Sequence, residues 1–133
     1  MRHVKLLLLL PSLGLLAAAA PVPPLKLFDG FRAGMWQLTP RDSAGSPGTF
    51  APQCLASADR LIHTGHSSAD GTCGHTVVED SVDRATVTYV CKGQGYGRTS
   101  LRRDGDGFVV DAQGIDGRDP YELRGDYKRV GDC

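Results

Sequence analysis

Four cysteines, Cys54, Cys73, Cys91 and Cys133, constrain this 133-residue chain more than any other feature. Whether they staple a fold depends on the compartment the chain reaches, and the N-terminus speaks to that. Met1-Arg2-His3-Val4-Lys5 is a short basic start, Leu6 to Leu16 is an apolar run containing Pro11, and Ala17 to Ala20 supply small residues for cleavage. This is the layout of a secretory signal peptide, with an apolar core too short to span a bilayer. Pro21 fits poorly just after a scissile bond, so cleavage is placed after Ala19 and residues 1–19 are read as signal peptide. No cysteine near residue 20 could accept a lipid. The expectation is an exported, periplasmic protein with no stable membrane anchor after cleavage.

An even cysteine count in a small exported domain reads as two disulfides. There is no C-x-x-C, and the spacings of 19, 18 and 42 residues match no zinc ribbon or finger. Hairpin register chooses among the three connectivities. Two β-like runs flank the polar link Asp80-Ser81-Val82-Asp83. A hairpin centred on Val82 sets Cys73 opposite Cys91 and Val77 opposite Val87, and direct cross-strand cysteines can lie close enough to bridge. Cys54 and Cys133 remain. Their bridge would tie down the C-terminus and close a loop of roughly 80 residues, which chain-entropy accounts value at about 4–5 kcal/mol.

Turn chemistry extends the sheet. Asp104-Gly105-Asp106-Gly107 and Asp116-Gly117 each separate two β-like runs, and Gly and Asp tolerate the positive φ of tight turns. Centring the first turn on Gly105-Asp106 sets Leu101 opposite Val110 and Thr99 opposite Ala112. Centring the second on Asp116-Gly117 sets Val110 opposite Leu123 and Ala112 opposite Tyr121. The last run alternates, with Tyr121, Leu123, Gly125 and Tyr127 on one side and Glu122, Arg124, Asp126 and Lys128 on the other. Seven strands result, at 33–39, 48–54, 72–79, 84–92, 96–103, 107–115 and 120–130. One short helix at 57–63 could be capped by Ser57 and docked by Leu61 and Ile62. The fold class is mainly β: an antiparallel meander curled into an open or closed barrel, with Trp36 in its core. Pro21-Val22-Pro23-Pro24 opens an extended lead-in over 20–32, ahead of a disulfide-stapled β-domain over 33–133.

Charge excludes one class of partner. The chain holds 15 basic and 15 acidic residues, without the basic excess of a nucleic-acid binder. Asn is absent, so no N-glycosylation site exists.

Gly34-Met35-Trp36-Gln37, Gln53-Cys54-Leu55, Cys73 and Cys91, Gly93-Gln94-Gly95-Tyr96-Gly97 and the terminal Arg129-Val130-Gly131-Asp132-Cys133 follow one another behind the leader. This order resembles the domain-of-unknown-function family 3617, small exported proteins of Gram-negative bacteria, over residues 33–133. The resemblance implies a periplasmic protein with paired cysteines and brings no catalytic residues.

Motifs with chemical promise each have a plainer reading. His63, His66 and His75 lie near Asp70 and Cys73, but an oxidised Cys73 is no ligand and the histidines read as solvated around a helix end. No metal ligand set and no cofactor is therefore assigned. Asp104-Gly-Asp106-Gly lacks the further oxygens of a calcium loop and reads as a turn. Gly93, Gly95 and Gly97 precede a strand rather than the helix a phosphate cradle needs, so they mark a close approach to backbone. Arg98 and Arg102 share strand parity in an outward, charge-balanced stripe with Arg103 nearby. His75 and Glu79 could share a strand face, with no activated nucleophile beside them. No catalytic motif occurs. The expectation is a non-enzymatic binding module for a small apolar or amphiphilic ligand, held near Trp36, Gly93, Gly95 and Gly97. The alternative is a protein-interaction module, for example an inhibitor of an envelope hydrolase.

Overall fold

The computed structural model describes residues 22–41, 50–67 and 73–133; the expected signal peptide lies outside them. Seven antiparallel strands form one sheet: β1 (Gly34–Pro40), β2 (Gln53–Leu55), β3 (Cys73–Asp80), β4 (Arg84–Cys91), β5 (Gly95–Asp104), β6 (Gly107–Asp116) and β7 (Asp119–Gly131). The order across the sheet is β2-β1-β7-β6-β5-β4-β3, so β3 to β7 is a meander and β1 adds to its far side. The sheet is open, with β2 and β3 as its edges. Both disulfides have formed, Cys54–Cys133 and Cys73–Cys91. Among the described residues, no helix is long and apolar enough to cross a membrane.

The first two hairpins take the register read from their turns. Cys73 pairs with Cys91 and Val77 with Val87; Leu101 pairs with Val110 and Thr99 with Ala112. The third does not. Val110 faces Gly125 and Ala112 faces Leu123, a slip of two residues from the expected pairs. The cause is the turn centre. The chain reverses at Gly117-Arg118 between the paired Asp116 and Asp119, with Gly117 at φ +64° in the first central position. The Gly105-Asp106 turn likewise puts its glycine first, at φ +57°. Glycine takes that left-handed region without a Cβ penalty, so it leads each turn. A slip of two preserves side-chain parity, and the facing of β7 therefore survived the error.

One face of the sheet carries the core: Trp36 and Leu38 from β1, Ala85, Val87 and Tyr89 from β4, Leu101, Phe108, Val110 and Ala112 from β5 and β6. Among the described residues, two short segments cover it. The helix at Ala58–His63 is 3-10 rather than α, and Ser57 makes no side-chain cap bond. Leu61 and Ile62 dock as expected, both fully buried. Thr99 Oγ1 donates to the Ile62 carbonyl at 2.5 Å and seats the helix on β5.

Over its described part, residues 22–32, the expected extended lead-in over 20–32 does not hold. Leu25 and Leu27 are buried around a 3-10 turn at Lys26–Phe28. Arg103 fastens that turn, donating to the carbonyls of Leu27, Asp29 and Val82 with its guanidinium over Phe108. The proline run stops before Leu25, and from there apolar burial outweighs it.

Trp36 ties the segment to the sheet. It stacks on Phe31 at 5.0 Å, lies 5.8 Å from Phe108, and donates from Nε1 to the Arg32 carbonyl at 2.9 Å. Truncating a buried Trp to Ala costs about 3–5 kcal/mol. Trp36→Ala should therefore lower the free energy of unfolding by about that amount. Urea denaturation followed by far-ultraviolet circular dichroism measures it, and a loss under about 1 kcal/mol would contradict the packing.

Candidate functional site

Neighbouring strands place one row of residues on the inner face near the end of the sheet where the β4–β5 and β6–β7 turns lie. His75 pairs with Tyr89, Tyr89 with Gly97, Gly97 with Gly114 and Gly114 with Tyr121. Two glycines thus lie between two tyrosines. The rings lean inwards over this floor and their hydroxyls meet at 2.5 Å. A Cβ on Gly97 would stand 2.3 Å from the Tyr121 hydroxyl and 2.4 Å from that of Tyr89. On Gly95 it would strike the Ile115 carbonyl oxygen, and φ is +105° there. Gly97 therefore admits a close approach to its backbone by a pair of tyrosines, and Gly95 one by the Ile115 carbonyl. Burial first, then the Tyr121 bond, holds the Tyr89 phenol far above its ordinary range; burial raises Tyr121 as well.

Above this row sit histidines that sequence reading had placed in solvent. The crossing helix ends at His63, and the turn after it delivers His66; both are buried. His63 packs on Tyr89 at 4.5 Å between ring centroids, and its Nε2 lies 2.9 Å from Nε2 of His75. His66 lies near both Tyr89 and Tyr121, and its Nε2 donates to the Gln94 carbonyl at 3.0 Å. Asp116 is 3.8 Å from that ring and accepts from Ser67. The Cys73–Cys91 bridge forms the adjoining row. Asp70 lies outside the described residues. A loop-like sequence around His63 and His66 suggests solvation, but the helix folds back across the sheet and buries both rings. The pairing of His75 with Tyr89 was already contained in the Cys73–Cys91 register.

Beside the histidines opens a cavity of about 300 Å³. Trp36, Leu38, Leu55, Leu123 and Tyr127 supply an apolar wall, and Arg60, His63, Thr64 and His66 a polar one. Thr64 joins its hydroxyl to that of Tyr127 at 3.0 Å. Trp36 thus lines a cavity, while Gly97 lines a separate shallow depression with Val90, Tyr96 and Ile115. Gly93 turns the chain at φ +75° with open space around it. Among the described residues, the candidates Trp36 and Gly97 accordingly line different cavities, and Gly93 faces open space.

The remaining motifs resolve locally. Asp104 and Gly107 close the β5–β6 turn. A bulge between Val77 and Glu79 sets Glu79 opposite Thr86, which reverses its facing, so His75 and Glu79 do not share a face. Arg98 and Arg102 do share the outer face, where Arg84 stands opposite Arg102 with Glu79 and Asp111 nearby. Arg103 instead serves the N-terminal turn.

No family model, no curated protein and no solved structure matches the chain.

Two outcomes follow from this geometry. Gly97→Ala forces a Cβ into the tyrosine pair and should cost about 1–3 kcal/mol. Gly74→Ala, with nothing within 4 Å of the added carbon, should be near neutral in the same urea titration. The second concerns pH. Burial, then the neighbouring His75, His66 and Arg60, push His63 from 6.5 down to about 4. A ring harder to protonate in the folded chain favours folding fully above pH 6.5, and that contribution is lost as pH falls towards 4. The urea midpoint should fall across that window, and His63→Phe should flatten the fall.

Proposed function

We propose that this is an exported binding protein that holds a small apolar or amphiphilic molecule in the cavity beside Trp36, without chemical conversion. The single observation that carries this is the cavity's two-sided lining. An apolar wall of Trp36, Leu38, Leu55 and Leu123 faces a polar edge that includes Arg60 and Thr64. Small-molecule sites commonly combine such a wall with a few placed polar groups, and about 300 Å³ is at the small end of their range. The amphiphile's apolar part would lie against the wall, its polar end at Arg60. The two disulfides support an oxidising, exported setting, in keeping with a periplasmic location. The landmark order and the cysteine pairing support membership of family 3617.

A second reading, docking on an envelope protein such as a hydrolase, has one observation in its favour. Val90 and Tyr96 pair across β4 and β5 on the outer face, both more than half exposed, close to the edge strand β3. No nucleic-acid partner is proposed.

Titration with a fluorescent fatty-acid analogue, with Trp36 as the energy donor, tests the first reading. Binding should quench Trp36 emission, and Leu123→Trp, which fills the cavity, should weaken binding about tenfold or more (about 1.4 kcal/mol). An apo mass by native mass spectrometry after periplasmic purification, with no quenching, would contradict the cavity reading.

A further inference from the structure

Beside the Cys73–Cys91 bridge, where the crossing helix ends, lie the beginnings of a metal site. His63, His66 and Cys91 each offer a ligand atom, these atoms lie within 4.8 Å of one another, and all three residues are buried. Cys73 carries the adjacent sulfur. Among the described residues, Nδ1 of His63 is buried with no hydrogen-bond partner, an arrangement that costs free energy in a finished core. The outer nitrogens are already engaged as those of ligating histidines usually are. His66 Nε2 must be protonated to donate to the Gln94 carbonyl, which leaves the lone pair of the neutral ring on Nδ1. His63 Nε2 can donate to His75, which likewise leaves its lone pair on Nδ1. The cavity lined by both rings provides the way in.

We propose that the chain with its Cys73–Cys91 bridge open binds one zinc ion through His63, His66, Cys91 and Cys73. The closed bridge and the bound metal are then mutually exclusive states of one site. Two imidazoles and two thiolates form an ordinary tetrahedral zinc set. Opening the bridge takes two electrons and two protons from a dithiol reductant, which closes to its own disulfide. Zinc then displaces the two thiol protons. A newly exported chain, not yet oxidised, already has this open form.

The test uses the full mature chain carrying Cys54→Ser and Cys133→Ser, so that only the inner pair can supply thiolate. It is reduced under argon and titrated with cobalt(II) as zinc's spectroscopic stand-in. Expected are tetrahedral d–d bands and a thiolate charge-transfer band saturating at one equivalent, both erased by zinc. The air-oxidised chain should show neither. His63→Gln with His66→Gln should weaken binding about tenfold or more, since loss even of second-shell partners costs that much. No bands in the reduced chain, equal binding by the oxidised chain, or unchanged binding in the histidine double variant would each overturn the proposal. If the serine variant does not fold, the reduced wild-type chain is alkylated with iodoacetamide with and without zinc and mapped. Selective protection of Cys73 and Cys91 supports the site, and equal protection or none at all four cysteines overturns it.

Discussion

A single sheet has two faces, and a chain of this size must cover one of them with very little backbone. Here the cover is a few residues around Leu25 and Leu27 and the short 3-10 helix ending at His63. Both are too short to be stable helices by themselves, so their place is set by the sheet beneath. The Thr99 hydroxyl holds the Ile62 carbonyl, the Arg103 guanidinium holds those of Leu27 and Asp29, and Thr64 meets Tyr127. These bonds satisfy backbone and side-chain groups that burial would otherwise strand. Everything of functional interest depends on this, because the cavity and the histidine cluster lie between helix and sheet.

The disulfides act at opposite margins. Cys54–Cys133 joins the short edge strand β2 to the C-terminus just beyond β7, and Cys73–Cys91 joins the other edge strand to its neighbour. Edge strands have pairing partners on one side only, so crosslinks there hold what the ladder holds least well. The inner bridge is also buried against His63 and His66.

Much of this architecture was legible. The other six strand positions, both bridges, two hairpin registers and the burial of Trp36 follow from cysteine placement, glycine-bearing turns and two-residue alternation, all local signals; the second strand, expected over 48–54, is only Gln53–Leu55 among the described residues. The β6–β7 register departs from the sequence expectation because Asp116-Gly117 suggests itself as the turn centre, whereas the chain reverses at Gly117-Arg118 with the glycine first, as in the turn at Gly105-Asp106. The burial of Leu25 and Leu27 was hidden behind prolines. The facing of Glu79 was misread because a bulge leaves no clear mark in a run as even as Thr76-Val77-Val78-Glu79.

By itself the sequence determined an antiparallel sheet with two crosslinks, since alternation, turn residues and cysteine parity act over a few residues and need no knowledge of the rest. Only the tertiary structure decided that His63 and His66 lie over Tyr89 and Tyr121, that two glycines make room for those rings, and that Trp36 borders a cavity apart from Gly97. Those placements depend on how an irregular segment crosses the sheet. That crossing is chosen by burial and hydrogen bonding summed over distant residues, which no short stretch of chain encodes.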